Sequence, residues 1–216
     1  MGSFDKKYWS TNYANPKDMD CIGNAKAHCR YLKALLDLEH IQITTVIDLG
    51  FGLGYLFKQM LKTFLPYYAV GIEPSKHAFD LVSSSKIKMV ESMEVKLLNI
   101  DLNQWAKTKV AKNSDPYDLA ICTSVLQYLS DEDLKKIIPV IAKRCKYLYL
   151  TLPTDLELKY QKQELNFHDD YAFHRSQKKY LNLLRPHFTI ISSRFLESKH
   201  HFDHDNTFFS DLLYRS

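Results

Sequence analysis

"VIDLGFGLGYL", residues 46–56, is an apolar run that meets an acid at Asp48 and then places glycine at 50, 52 and 54. Thr45 to Leu49 is the short β-branched run expected of a strand buried on both faces of a sheet. Leu53, Leu56, Phe57, Met60, Leu61 and Phe64 then step by 3, 1, 3, 1 and 3, a helical period, and Pro66 closes the segment. The opening unit is therefore strand, glycine turn, helix. Glycine at three of the five turn positions lets the chain adopt positive φ and lets a ligand touch bare backbone. A tight turn with no ligand is the alternative.

The same alternation extends outward. Upstream, Ala25, Cys29, Leu32 and Leu36 step by 4, 3 and 4, which predicts an amphipathic helix from Asn24 to Leu38. Residues 1–20, with Tyr8, Trp9, Tyr13 and Pro16, lack periodicity and read as an ordered arm or lid. Downstream, "YYAVGIE", "VKLLNID", "PYDLAICTS" and "CKYLYLTLP" read as strands two to five, with a helix from Lys76 to Ser85. Ser130 and Asp133 resemble a capping box ahead of Leu134, Ile137, Ile138 and Ile141, and Pro139 predicts a kink or break in that helix. Ser176 to Leu184 reads as a helix stopped by Pro186, and two last strands are expected at about 188–197 and 207–215. Lacking a helix between them, those two should form a hairpin, so one strand runs against the others. Strands alternating with helices imply an α/β architecture, a three-layer sandwich whose mostly parallel sheet carries helices on both faces.

Composition bounds the function. With 216 residues and 45% hydrophobic content, one domain is expected, spanning 1–216. The net charge of +4 is spread along the chain, so it lacks the concentrated basic field of a nucleic-acid binder. Cys21, Cys29, Cys122 and Cys145 show no C-x-x-C spacing and read as reduced thiols. No stretch has the apolar length of a membrane span, no targeting signal is visible, and Lys6 replaces the Ser or Thr of a myristoylation site. A cytoplasmic protein without membrane association is the expectation.

Two cofactor classes compete for the glycine turn. The dinucleotide fingerprint G-x-G-x-x-G would need glycine at 55, where the chain has Tyr55, and no Lys-Ser/Thr pair makes a nucleoside triphosphate loop. The pattern favours a ligand without a pyrophosphate. Here the sequence resembles the class I, seven-strand S-adenosylmethionine-dependent methyltransferases over about residues 45–153. "VIDLGFGLG" is similar to the family's first motif; "GIEPS", with Glu73 twenty-five residues after Asp48, to the acid ending its second strand; "NIDL" follows strand three, and "YDLAICTSVLQYL" is similar to the fourth motif. The resemblance implies a strand order of 3-2-1-4-5-7-6 and S-adenosyl-L-methionine as cofactor.

It also implies site residues. Glu73, with Pro74 beside it, would accept both ribose hydroxyls. Asp101 would take the adenine amino group and the Leu102 N–H a ring nitrogen, unless Asp101 simply caps a helix before Trp105. Asp48 would hold the methionine ammonium, Gly50, Gly52 and Gly54 the methionine and ribose backbone contacts, and Thr123 and Ser124 the methionine side. Gln127 and Tyr128 would face the acceptor, and Trp9 and Tyr13 would close over it or pack in the core.

An acceptor hydroxyl or amine needs a base, and His168 or His174 in "NFHDDYAFHRS" is the candidate, accompanied by Asp169, Asp170, Tyr171 and Arg175. His200, His201 and His204 have a metal-like composition in a loop setting, and no metal is expected. The expected arrangement is an N-terminal arm and helix at 1–44, a cofactor core at 45–153, an acceptor-side insertion and helix at 153–187 and a hairpin at 188–216. The expected activity is methyl transfer to an oxygen or nitrogen of a small molecule. The alternatives are transfer to RNA or protein, or cofactor binding without turnover.

Overall fold

The computed structural model describes residues 4–12, 19–85, 93–108, 115–164, 167 and 169–209. Helix α1 (Lys6–Asn12) precedes α2 (Ala25–Leu38), and the glycine-turn unit follows as β1 (Thr45–Leu49) and α3 (Tyr55–Phe64). Then come β2 (Tyr68–Ile72), α4 (Lys76–Ser84), β3 (Glu94–Leu98), α5 (Leu102–Lys107) and β4 (Tyr117–Thr123). The chain continues with α6 (Asp131–Arg144), β5 (Cys145–Thr151), α7 (Asp155–Glu164), α8 (Gln177–Leu184), β6 (Phe188–Ile190) and β7 (Phe195–Ser198). These strands form one sheet of order β3-β2-β1-β4-β5-β7-β6, with β7 antiparallel to both of its neighbours.

Alternate residues of the central strands feed two cores. Val46, Ala69, Leu119 and Ile121 pack with α2, α3 and α4, whereas Ile47, Val70, Ala120 and Leu148 pack with α5, α6 and α8. Burial on both faces explains why these strands read as continuous apolar runs. On α2 the stripe Ala25, Cys29, Leu32 and Leu36 is buried as its period requires, and each of the two leucines contributes about 2 kcal/mol by leaving water. Edge strand β3 lacks that enclosure and is half exposed.

Three expectations are corrected. First, of the kink or break expected at Pro139, the break does not occur: α6 runs on through it. Its buried stripe Leu134, Ile137, Ile138 and Ile141 holds both halves to the sheet, while Pro139 lies on the outer side, near exposed Lys135 and Lys136, where water can solvate the freed carbonyl. Second, the run 188–197 is itself the hairpin, not one strand of it: the chain reverses at Ser192–Arg194, where the Ile191 and Ser192 N–H groups both donate to the Phe195 carbonyl. A polar Ser-Ser-Arg turn carries no glycine or proline signal. Third, residues 207–209 are not strand. Phe209 instead buries its ring against Tyr147 and Phe195, and Thr207 donates to Glu197 at 2.6 Å, so this segment covers the sheet as a loop. Residues 210–216 lie outside the described residues.

The Ser130 cap holds, accepting the Asp133 N–H, and Ser176 caps α8 by accepting the Lys179 N–H. All four cysteines are buried free thiols. Among the described residues no helix is long and apolar enough to cross a membrane.

Candidate active site

Strand order reverses about β1 and β4, with β2 and β3 to one side and β5 to the other, so the loops leaving β1 and β4 part and open a crevice. A cavity of about 620 Å³ fills it, a size that suits a small molecule. Asp48, Gly50, Gly52, Gly54, Glu73, Pro74, Asp101, Leu102, Thr123 and Ser124 all line this one cavity, as do Trp9, Gln127 and Tyr128.

The glycine turn is shaped by the protein's own contacts as well as by open space. Gly50 has φ +119°, and a Cβ there would meet Val125 Cγ2 at 2.5 Å, so any side chain would displace the chain leaving β4. Gly52 has φ +51°; its N–H donates to Glu73 Oε2 at 2.8 Å while the Trp9 indole covers it. On the opposite wall Ser124 also takes positive φ, +54°, a strained choice for a serine, and its N–H donates to the Thr151 carbonyl.

Two acids stand at adjacent strand ends. Glu73 is fastened through both oxygens: Gly52 N–H donates to Oε2, and Ser75 N–H donates to Oε1, each at 2.8 Å. Each oxygen keeps a second lone pair for a ligand hydroxyl. Burial pushes Glu73 up to about 7 despite those two donors. Asp48 is 2% exposed, and its Oδ1 has no hydrogen-bond partner among the described residues. Burial, with the nearby Glu73 charge, raises it well above the usual carboxylate range. A buried acid without a partner is costly, and a cationic group of a ligand would satisfy it.

Among the described residues the charged groups lining the cavity have one sign. Asp20, Asp48, Glu73, Asp101 and Asp169 line it, and no Lys, Arg or His does so among the described residues. Asp101 also caps α5, accepting the Gln104 N–H at 2.7 Å in a complete capping box, so the helix-cap alternative is part of its role.

At the other end the rings of Phe4, Tyr8, Tyr128 and Tyr171 meet edge to face or tilted. Tyr128 Oη donates to Asp169 Oδ2 at 2.5 Å and lies 3.2 Å from Tyr8 Oη. Burial raises the Asp169 pKa. Trp9 straps α1 down by donating to Ser75 Oγ at 2.8 Å, and it covers Gly52, so it both packs and encloses.

Other expected acceptor residues stand elsewhere. His174 is exposed and does not line the cavity. Arg175 is 2% exposed and turned away from it: Nε donates to Asp131 Oδ1 at 2.7 Å and Nη2 to the Leu129 carbonyl at 2.6 Å, bracing the start of α6. His168 and Tyr13 lie outside the described residues. His200, His201 and His204 form no ligand cluster; among the described residues only Asp20, Cys21 and His28 do. The Tyr128–Asp169 contact had no readable signal, since it joins elements 41 positions apart; the trio is local in sequence, but its spacing matches no familiar ligand motif.

Residues 46–147 match the model of a methyltransferase domain family. No curated protein sequence matches the chain. Among solved structures, magnesium protoporphyrin IX methyltransferase from Synechocystis with bound S-adenosylhomocysteine is 17% identical, with a TM-score of 0.57 over 89% of this chain and 92% of that one. The plantazolicin methyltransferase BpumL in complex with S-adenosylhomocysteine is 14% identical, with a TM-score of 0.63 over 84% and 68%. The methyltransferase domain of bacterial CtHen1-C is 18% identical, with a TM-score of 0.56 over 79% and 94%. Its sheet order and its motifs in sequence agree with that domain match over residues 46–147, and the chain shares its fold with these methyltransferases.

Proposed function

We propose that the protein transfers a methyl group from S-adenosylmethionine to an oxygen or nitrogen of a small molecule, with Asp169 as the base. The observation that carries this reading is the cavity's charge: five carboxyl groups and no basic side chain among the described lining residues. Such a wall suits a ligand bearing an ammonium and a sulfonium and opposes a pyrophosphate or a nucleic-acid backbone. When bound, S-adenosylmethionine supplies an electrophilic methyl on a positively charged sulfur.

The chain's residues then have separate tasks. Asp48 pairs with the ammonium through its unpartnered oxygen, and Glu73, fastened by two backbone donors, accepts the ribose hydroxyls. Asp101 and Leu102 take the adenine edge, and Thr123 and Ser124 border the methionine. Trp9 keeps water from the turn. The ring collar of Phe4, Tyr8, Tyr128 and Tyr171 holds an acceptor with an apolar or flat body. Alignment of the acceptor with the methyl supplies most of the acceleration. As the acceptor attacks, its proton passes to Asp169, whose buried setting raises its affinity for protons and whose geometry Tyr128 holds.

Methyl-labelled cofactor incubated with a metabolite extract, total RNA and total protein tests the reading. Label should enter the small-molecule fraction, and Asp169→Asn should lower transfer roughly 100-fold while leaving cofactor affinity within about twofold. Label in RNA or protein would overturn the small-molecule assignment. Cofactor binding with no transfer to any fraction would mark a protein that binds without turnover.

A further inference from the structure

The turn before α2 and the first turn of that helix bring together three side chains to which the methyl-transfer reading gives no individual task, although Asp20 contributes to the cavity's charge. Asp20, Cys21 and His28 have ligand atoms all within 4.8 Å of one another. His28 Nε2 lies 2.8 Å from Asp20 Oδ1 and 3.8 Å from Cys21 Sγ, and Cys21 Sγ lies 3.6 Å from Asp20 Oδ2. A tetrahedral zinc ion, with bonds of about 2.0 Å to nitrogen or oxygen and about 2.3 Å to sulfur, has ligand-to-ligand edges of roughly 3.3–3.6 Å. The two distances from sulfur agree within a few tenths of an ångström; the Asp20–His28 distance, which is to the other carboxylate oxygen, has to open by roughly half an ångström, so the carboxylate turns to present one oxygen.

The surroundings are built to aim this trio. Cys21 takes φ +63°, rare for a residue with a side chain, and its N–H is fixed by Asn24 Oδ1 at 2.7 Å while Asn24 Nδ2 donates to Asp20 Oδ1 at 2.7 Å. His28 is 4% exposed, and its other ring nitrogen, Nδ1, meets the buried Tyr149 hydroxyl at 2.5 Å. An orienting partner on the far nitrogen is what a metal-ligating histidine ordinarily has.

A rival use fits less well: for an acid–base pair, both His28 nitrogens are already engaged, one by Tyr149 and one by Asp20. A mixed sulfur, nitrogen and oxygen set is one that a zinc-class cation takes.

We infer that Asp20, Cys21 and His28 form a site for one thiophilic divalent cation of the zinc class, on the wall of the methyl-transfer cavity. Asp20 and Cys21 line that cavity, which places the site against it. A cation there takes an oxygen, nitrogen or sulfur atom of the acceptor as its fourth ligand, while Tyr149 orients His28 from behind. Arg194 Nη2, 4.0 Å from Asp20 Oδ2, is the nearby cation on the same carboxylate.

The test uses full-length protein stripped with chelator and free of cofactor, titrated with Zn²⁺ and separately with Co²⁺. One equivalent should bind, and Co²⁺ should produce a thiolate-to-cobalt charge-transfer absorption that Cys21→Ser abolishes. His28→Gln should weaken Zn²⁺ binding roughly 100-fold and Tyr149→Phe roughly 10-fold, while His201→Ala should leave it unchanged. Circular dichroism checks that each variant folds, and X-ray absorption of the zinc-loaded wild type, which should show one sulfur neighbour, needs no variant. Absence of stoichiometric binding, a zinc shell without sulfur, or equal affinity in folded Cys21→Ser and His28→Gln would overturn the proposal. Binding of S-adenosylhomocysteine in the presence of chelator reports separately on the methyl-transfer reading.

Discussion

Asp48 and Asp118 lie in neighbouring strands at opposite ends of the same sheet, both buried, and they are treated in opposite ways. Asp118, at the start of β4, accepts from Thr44 N–H at 2.9 Å, Thr44 Oγ1 at 2.7 Å and Thr45 N–H at 3.1 Å, and it pairs with Lys146 at 2.8 Å. Burial pushes its pKa upward, but Lys146 and Thr44 together bring it below the ordinary value. Asp48, near the end of β1, has an oxygen with no partner among the described residues and a raised pKa. The satisfied acid ties strands together. The unsatisfied one carries a cost that protonation or a cationic ligand would relieve, and such a group marks a candidate site.

Replacing Asp48 by Asn gives the largest effect. Loss of a charge-assisted contact worth about 2–3 kcal/mol should weaken S-adenosylhomocysteine binding roughly 30- to 150-fold in calorimetry. The ligand-free variant should melt no lower than wild type, because the charge it loses was uncompensated. A lower melting temperature with intact affinity would reverse the comparison.

Asp118→Asn should do the opposite. Its amide would face the donors of Thr44 and Thr45, costing about 1–3 kcal/mol in urea unfolding, with cofactor affinity unchanged within about twofold. Loss of affinity there would mean the two ends of the sheet are coupled.

The same contrast predicts opposite pH responses. Glu73 is raised from 4.5 to about 7 in the folded, ligand-free protein, so the folded state binds its proton more tightly than the unfolded chain does. Stability from this group is therefore fully present below 4.5 and declines as pH rises to about 7; Asp48, also raised, adds to the decline. Asp118 is lowered, so its contribution is present above its ordinary 3.8 and disappears as pH falls through its folded value. Cofactor binding needs the ionised forms, and affinity should increase roughly tenfold from pH 6 to pH 8 and flatten above that. A profile that is flat, or that falls, would count against Glu73 as a ribose ligand.

His174→Ala should produce the smallest effect. An exposed side chain outside the cavity should change transfer by less than about twofold in a labelled-methyl assay. A large loss would return His174 to the acceptor site.

Local chemistry made much of this legible in advance. The glycine turn, the acid at each of two strand ends and the alternation of strand and helix are encoded within windows of ten residues or so, where periodicity and backbone freedom dominate. The capping residues Ser130 and Ser176 were readable for the same reason. Failures began where distant contacts override local signals. Pro139 sits in an unbroken helix because the sheet holds both halves of it, and Ser192–Arg194 turns without a turn residue because β7 pairs with β5.

Sequence alone carried the methyltransferase motifs over residues 46–147, the strand order they imply and the two acids at the β1 and β2 ends. Only the folded molecule decided which residues beyond the motifs share the cavity. Asp169 meets Tyr128 across 41 positions, and His28 meets Tyr149 across 121, whereas Arg175, adjacent in sequence to the expected His174, turns into the core. The reason is geometric: an acceptor wall is assembled from loops and helix ends brought together by sheet closure, and no periodic pattern in the chain records which of them will meet.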